Sequence, residues 1–426
     1  MGVYGYTLGC RLNACETDEM IRAVSAGLGL ELTSDPTLAE VAIVNTCAVT
    51  QRSQARSRKA VRKLAGLDNA PLVVSTGCAA SLFPEEFAAA GAGMVVPMSM
   101  RERLPELLAR EGVPCRGARG VEQGISLPGP GAWHGSRSRA FLKVQEGCSR
   151  RCAYCIVPLA RGASRSVPLS LVLDRASTAL RAGYRELVLT GVDIADYGDD
   201  ECGDLPGLVS RLLALDGRFR IRLSSMEPMA LESPGFLERL ALPGVCRHFH
   251  VPIQSGSDSV LASMGRAYTA DSLSELFARI GRLFPGAAIG ADLLAGFPGE
   301  TGDDFERTVR LLERLSPAYL HVFPFSPRPG TRAAGMPRVR PDVVVDRCGR
   351  LRQIGAELRR RFRRSQEGTR AEAIVERRRD RSSSDGGTRL IGLTDNYVPV
   401  ELDPGHSEGE LTGVALGARS ICWDVR

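Results

Sequence analysis

Lysine is almost missing from this chain: of 55 basic residues, all but Lys59, Lys63 and Lys143 are arginine. An arginine excess of this kind follows from nucleotide bias in a genome as readily as from a ligand. The net charge of +6 therefore does not by itself specify nucleic acid, and only local clustering of charge counts. Long apolar runs are missing as well. No uninterrupted stretch reaches the length of a membrane span, and the first residues lack a signal-peptide pattern. The expectation is a soluble, cytoplasmic protein with no membrane partner. In that setting 12 cysteines argue against a disulfide framework and for metal ligation or reduced core thiols. No general-base dyad stands out. A chain of 426 residues has room for two or three domains.

What is present is a dense loop, Glu146-Gly147-Cys148-Ser149-Arg150-Arg151-Cys152-Ala153-Tyr154-Cys155, after the apolar run Ala140–Val144. Three thiols at intervals of four and three residues let one loop wrap a metal centre from three sides. Thiolates suit iron–sulfur clusters or zinc. Structural zinc takes four protein ligands, and here the fourth is missing locally. Three cysteines on a four-iron cluster leave one iron open to a substrate or cofactor.

Upstream, apolar runs Val3–Leu8, Val41–Asn45 and Leu72–Thr76 end at Cys10, Cys47 and Cys78. Short β-rich runs followed by helix-length segments predict a parallel α/β sheet. Each cysteine then falls at the carboxyl end of a strand, the edge where open parallel sheets form ligand crevices. One such cysteine reads as a small core hydrophobe; three at equivalent strand ends read as cluster ligands. Cys15 follows no strand and is assigned to a helix start. A Gly-, Pro- and Ser-rich linker covers 117–138.

Between residues 139 and 332, predicted strands Ala140–Val144, Glu186–Thr190, Arg220–Ser224, His248–Ile253, Ala288–Leu294 and Tyr319–Phe323 alternate with helices such as Ser170–Ala182 and Thr301–Leu315. Repeated strand-then-helix units suggest a partial parallel α/β barrel, with catalytic groups in the loops after the strands. A helix is expected over Pro341–Arg364. Five short runs, Ala371–Val375, Arg389–Leu393, Tyr397–Leu402, Leu411–Leu416 and Ser420–Val425, then predict a small β-barrel. Arg377, Arg378, Arg379 and Arg381 cluster at its first turn, a pattern suited to phosphate-backbone contact.

Cys148, Cys152 and Cys155, with Tyr154 before the last, resemble the signature of radical S-adenosylmethionine enzymes. The full layout is similar to the methylthiotransferase family, through Gly9-Cys10, Asn45-Thr46-Cys47, Gly77-Cys78 and the loops Leu189–Asp193, Ser224–Pro228, Gln254–Asp258, Gly296–Thr301 and Phe325–Thr331. The resemblance implies three units: an auxiliary-cluster α/β domain (1–116), a radical S-adenosylmethionine (β/α)6 barrel (139–365) and a TRAM-type barrel (366–426). It implies two [4Fe–4S] clusters, one on Cys148, Cys152 and Cys155, the other on Cys10, Cys47 and Cys78. S-Adenosylmethionine would be bound with help from Tyr154, Thr190, Gly191, Glu227, Gln254 and Asp292. Its cleavage to a 5′-deoxyadenosyl radical, hydrogen abstraction and delivery of a methylated sulfur would turn a carbon–hydrogen bond into a carbon–methylthio bond. The implied partners are tRNA and a reducing electron-donor protein, with a monomeric enzyme. Leu8-Gly9-Cys10-Arg11-Leu12-Asn13 resembles the subgroup acting on threonylcarbamoyladenosine next to the anticodon. Sister subgroups act on isopentenyladenosine in tRNA or on a ribosomal-protein aspartate. A non-catalytic iron–sulfur carrier or RNA-binding module is the alternative of another class, and it would need none of the barrel's loop motifs.

Overall fold

The computed structural model describes residues 2–115, 138–379 and 388–423. Its first unit contains β1 (Gly2–Thr7), α1 (Arg11–Leu28), β2 (Glu31–Thr33), β3 (Ala39–Thr46), α2 (Gln51–Ala65), β4 (Leu72–Gly77), α3 (Cys78–Leu82) and β5 (Met94–Val95). The strands form one parallel sheet in the order β2-β1-β3-β4-β5. β3 is buried on both faces, as its unbroken apolar run requires. Val41 and Ile43 pack with Met20, Ile21 and Val24 of α1, while Ala42 and Val44 pack with Val61 and Leu64 of α2. The strand order reverses between β1 and β3, and ligand crevices in open α/β sheets form beyond the strand ends at such a point.

The central part runs β6 (Ala140–Lys143), α4 (Val157–Arg161), α5 (Leu169–Arg181), β7 (Glu186–Thr190), α6 (Leu205–Leu213), β8 (Arg220–Leu223), β9 (His248–Gln254), α7 (Ala270–Leu283), β10 (Ala288–Ala295), α8 (Gly302–Leu315) and β11 (Tyr319–Pro324). Strands β6, β7 and β8 form one parallel trio and β9, β10 and β11 another. Parallel bridges Ile221–Val245 and Ser225–His250 join the trios, giving an arc of six parallel strands. Among the described residues nothing pairs β6 with β11. Leu187, Leu189, Ile221 and Leu223 enter the main core beside Val172 of α5 and Leu208 of α6. The alternate positions Glu186, Arg220 and Arg222 are equally buried, on the other face of the arc. Capping boxes at Thr269/Ser272 and Thr301/Asp304 fix the starts of α7 and α8.

Helix α9 (Pro341–Ser365) places Leu351 and Leu358 in the same core. It leads to β12 (Arg370–Arg379), β13 (Thr388–Thr394), β14 (Pro399–Glu401) and β15 (Leu411–Ala415), an antiparallel sheet in the order β14-β13-β12-β15. Two sequence expectations are corrected here. The run Tyr397–Leu402 is a strand only from Pro399, because Tyr397 (φ +67°) occupies the hairpin turn that Thr394 closes with Val398. Of the run Ser420–Val425, residues 424 and 425 lie outside the described residues; among the described ones the pairing is one bridge, Ile421 to Val400, and Ser420 and Ile421 both donate to Gly417 O in a tight turn. The predicted linker 117–138 lies outside the described residues except for Ser138, whose hydroxyl donates to Glu408 Oε1 at 2.8 Å.

Candidate active site

Cys10 and Cys47 follow β1 and β3, the two strands at the reversal of strand order, and Cys78 opens α3 directly after β4. At Gly9 (φ +107°) an added Cβ would lie 3.1 Å from Cys47 Sγ, so glycine lets the two cysteine-bearing turns approach. Asn13 of α1 donates to Leu8 O at 2.8 Å and to Thr46 O at 3.2 Å, tying down the backbone before both cysteines. Its Oδ1 lies 3.4 Å from Cys10 Sγ. Burial raises the Cys47 thiol and pushes Cys78 up to about 11, and the nearby Cys10 adds to both shifts. Thiols that repel one another once ionised are groups that a cationic metal centre could satisfy. Cys15 is not among them. It lies within α1 rather than at its start, buried, and donates to Phe141 O at 3.2 Å.

The loop of Cys148, Cys152 and Cys155 is held by its backbone. Cys148 N donates to Gly162 O at 3.0 Å, Ala153 N to Met264 O at 2.8 Å and Ala333 N to Ala153 O at 2.8 Å. Gly147 (φ +73°) admits no side chain, since a Cβ would stand 2.0 Å from Ala163 O. Burial raises Cys148 and pushes Cys155 up to about 12, and Cys152 and Cys148 both act on Cys155.

Around this loop the structure brings some predicted residues together and separates others. Tyr154 and Glu227 meet through Arg266, which sequence reading missed: Arg266 Nη2 donates to Tyr154 Oη at 2.6 Å and Nη1 to Glu227 Oε1 at 2.6 Å. Arg266 Nε and Ser224 Oγ are buried without a hydrogen-bond partner among the described residues, polar atoms available to a bound ligand. Gly191 earns its place through Gln145, whose Oε1 would lie 2.8 Å from a Cβ there. That oxygen accepts from Val192 N and Asp193 N at 3.0 and 3.1 Å, while Gln145 Nε2 donates to Gly147 O at 2.8 Å. The loop after β7 is thus fastened to the residue before Cys148. Thr190 is buried and donates to Val188 O of its own strand at 3.2 Å. Gln254 sits at a break in the β9–β10 register with φ +61°, an uncommon conformation for a residue with a side chain.

Asp292 belongs to a separate group. It accepts from His250 Nε2 at 2.9 Å and His321 Nδ1 at 3.1 Å, and Tyr319 Oη lies 3.1 Å from His250 Nδ1. Burial works the other way, but these two histidines hold the carboxyl well below the usual carboxylate range. Of the predicted RNA contacts, Arg377 is exposed and lies 3.8 Å from Glu408. Arg378 and Arg379 pair through their backbones with Arg389 and Thr388, and Arg381 lies outside the described residues.

One side chain links the two thiol sets. Arg161 ends α4, the helix that begins two residues after Cys155, and its Nε donates to Cys78 Sγ at 3.2 Å.

Residues 142–312 match the radical SAM superfamily, and residues 2–96 match an uncharacterized protein family, UPF0004. A solved structure of the radical S-adenosylmethionine methyltransferase TsrM from Kitasatospora setae shares the fold, with a TM-score of 0.56 and 18% identity over 78% of this chain and 77% of that one. The threonylcarbamoyladenosine tRNA methylthiotransferase MtaB of Rickettsia prowazekii is 33% identical, covering 96% of this chain and 95% of its own. The enzyme of the same name from Aquifex aeolicus is 31% identical over 96% and 98%. A tRNA-2-methylthio-N(6)-dimethylallyladenosine synthase of Helicobacter pylori is 30% identical over 99% and 98%. The chain belongs to the radical S-adenosylmethionine methylthiotransferase family. With that family come a [4Fe–4S] cluster and S-adenosylmethionine. No helix among the described residues is long and apolar enough to cross a membrane.

Proposed function

We propose that this enzyme adds a methylthio group to carbon 2 of threonylcarbamoyladenosine beside the anticodon of tRNA. The observation that supports the reading is the Arg161–Cys78 contact, which ties the helix after the Cys148–Cys155 loop to one of the upstream thiols. A non-catalytic carrier could hold two clusters as well, but it would have no use for the barrel's loop array, which sulfur insertion requires. Cys148, Cys152 and Cys155 would hold the first [4Fe–4S] cluster, and Cys10, Cys47 and Cys78 the second. When bound, these groups supply reductive cleavage of S-adenosylmethionine and a methylated sulfur for the substrate. The protein's part is orientation. Arg266 holds the Tyr154 hydroxyl and the Glu227 carboxylate beside the first thiol set, and Gln145 fixes the Gly191 loop against it.

The substrate reading is supported by Arg11-Leu12 after Cys10 and by the names of the relatives from R. prowazekii and A. aeolicus. The H. pylori relative favours a second reading, in which the nucleoside is dimethylallyladenosine. We further read residues 1–116, 139–365 and 366–426 as the auxiliary-cluster, radical and RNA-contacting units of a monomer served by a reducing protein. Arg377, Arg378, Arg379 and Arg381 would meet the phosphate backbone. The test is nucleoside mass spectrometry after reduced, reconstituted enzyme acts on two tRNA preparations, one carrying each nucleoside. A methylthio group on threonylcarbamoyladenosine alone is expected. Transfer only to dimethylallyladenosine would establish the second reading, and transfer to neither despite cofactor cleavage would sink both.

A further inference from the structure

We propose that Arg161 is a positioning residue that fastens the two thiol sets to each other and raises the reduction potential of the centre on Cys10, Cys47 and Cys78. This rests on the reading of those three cysteines as cluster ligands.

Arg161 is only 6% exposed, and its guanidinium is held on every side. Nε points at Cys78 Sγ (3.2 Å), Nη1 donates to Glu16 Oε1 (2.7 Å), and Nη2 donates to Glu16 Oε2 and Asn13 Oδ1 (both 2.8 Å). A fork of this kind fixes direction as well as charge. Asn13 is also the residue beside Cys10 and behind Cys47, so one guanidinium reaches the surroundings of all three thiols. Glu16, buried in turn, accepts from Arg101 Nη1 at 2.6 Å. Arg101 pairs through its other nitrogen with Glu146, which stands two residues before Cys148 and also accepts from Arg165 at 2.6 Å. An alternating chain, Cys78–Arg161–Glu16–Arg101–Glu146, therefore runs from one thiol set to the loop of the other.

Burying such a chain brings little net stability, because desolvation offsets most of the attraction. Its orientation does something an apolar contact would not. An N–H donor and a fixed positive charge at a ligating sulfur favour the cluster state that holds one more electron, and so raise its potential. Glu16 keeps that donor on the sulfur. Since α4 is continuous with the Cys148–Cys155 loop, the same contact fixes the separation of the two centres.

The test uses the full chain with Cys148, Cys152 and Cys155 all replaced by Ala, so that only the auxiliary set can hold iron. Its midpoint potential is read by paramagnetic resonance during reductive titration. In this background Arg161→Gln should shift the midpoint to a more negative value, and Arg161→Lys, which keeps the charge but loses the fork, should fall between. Unchanged potentials with iron retained in both variants would overturn the proposal. Loss of the iron from both would overturn it as well, by making Arg161 an assembly residue. A parent protein that binds no iron would instead remove the ligand reading beneath it, and that result is seen before any Arg161 variant is made.

Discussion

The ring of Tyr397 lies 4.4 Å from the ring of His248, tilted by 25°. Tyr397 sits at the tip of the β13–β14 hairpin, and its hydroxyl accepts from Arg11 Nη2 at 3.0 Å. The guanidinium of Arg222 lies 5.2 Å from the ring centre. A single side chain of the C-terminal sheet thus touches α1, β8 and β9, and the three parts of the chain converge on it.

Removing that side chain in two steps should separate its polar and apolar roles. Tyr397→Phe loses the Arg11 hydrogen bond and should cost about 1 kcal/mol. Tyr397→Ala also empties the space against His248 and Tyr319 and should cost about 3 kcal/mol. Urea unfolding of the two variants checks the order. Equal losses would mean that the ring packs nothing of consequence.

His248 carries the pH dependence of the same region. Burial, then the neighbouring Arg222 and Arg11, hold its pKa well below 6.5. The unfolded chain takes up a proton near that ordinary value while the folded chain does not. Stability should therefore fall as pH drops below about 6.5, by at most ~1.4 kcal/mol per pH unit from this group. Thermal melts between pH 5 and 8 should show that slope, and His248→Asn should flatten it. A variant with an undiminished slope would assign it elsewhere.

Two glycines should behave as parts of the metal loops. Gly147→Ala puts a Cβ against Ala163 O, and Gly77→Ala puts one 2.3 Å from Asn45 Oδ1. Both also require an L side chain at positive φ. After reconstitution Gly147→Ala should lose the iron of the Cys148–Cys155 loop, and Gly77→Ala that of the other set. Full iron content with native spectra in both proteins would contradict the geometry.

The thiol sets should be separable by function. Cys152→Ala should abolish release of 5′-deoxyadenosine. Cys47→Ala should keep cofactor cleavage but form no methylthio product. Chromatography of the nucleosides from both reactions distinguishes these outcomes, and methylthiolation by Cys47→Ala would remove the second set from the chemistry.

Much of this arrangement is legible in residue order because it is local. The three upstream cysteines follow apolar runs that become β1, β3 and β4, and the predicted helix Pro341–Arg364 is one residue short of α9. What is not legible depends on contacts across the chain. Arg161 and Glu16 meet over a separation of 145 residues, and Arg266 reaches Tyr154 over 112. Neither arginine stands out among so many others. Strand alternation also misleads at β8. Arg-Ile-Arg-Leu reads as one dry face and one wet face, yet both faces are buried because the C-terminal sheet covers the polar one, its carbonyls accepting from Arg220 and Arg222. The Ser420–Val425 run has the composition of a strand, but over its described residues, 420–423, a turn at Gly417 takes that place.

That polar face says how the C-terminal sheet is recognised. Arg220 donates to the carbonyls of Glu372 and Leu393, and Arg222 to those of Thr394 and Asp395, with Glu186 bracing both guanidiniums. The grip is on main chain, which is alike in every residue. Those four contacts are indifferent to the side chains at the positions they hold, so this part of the joint is set by the path of the strands, and Tyr397 supplies the side-chain part of the fit.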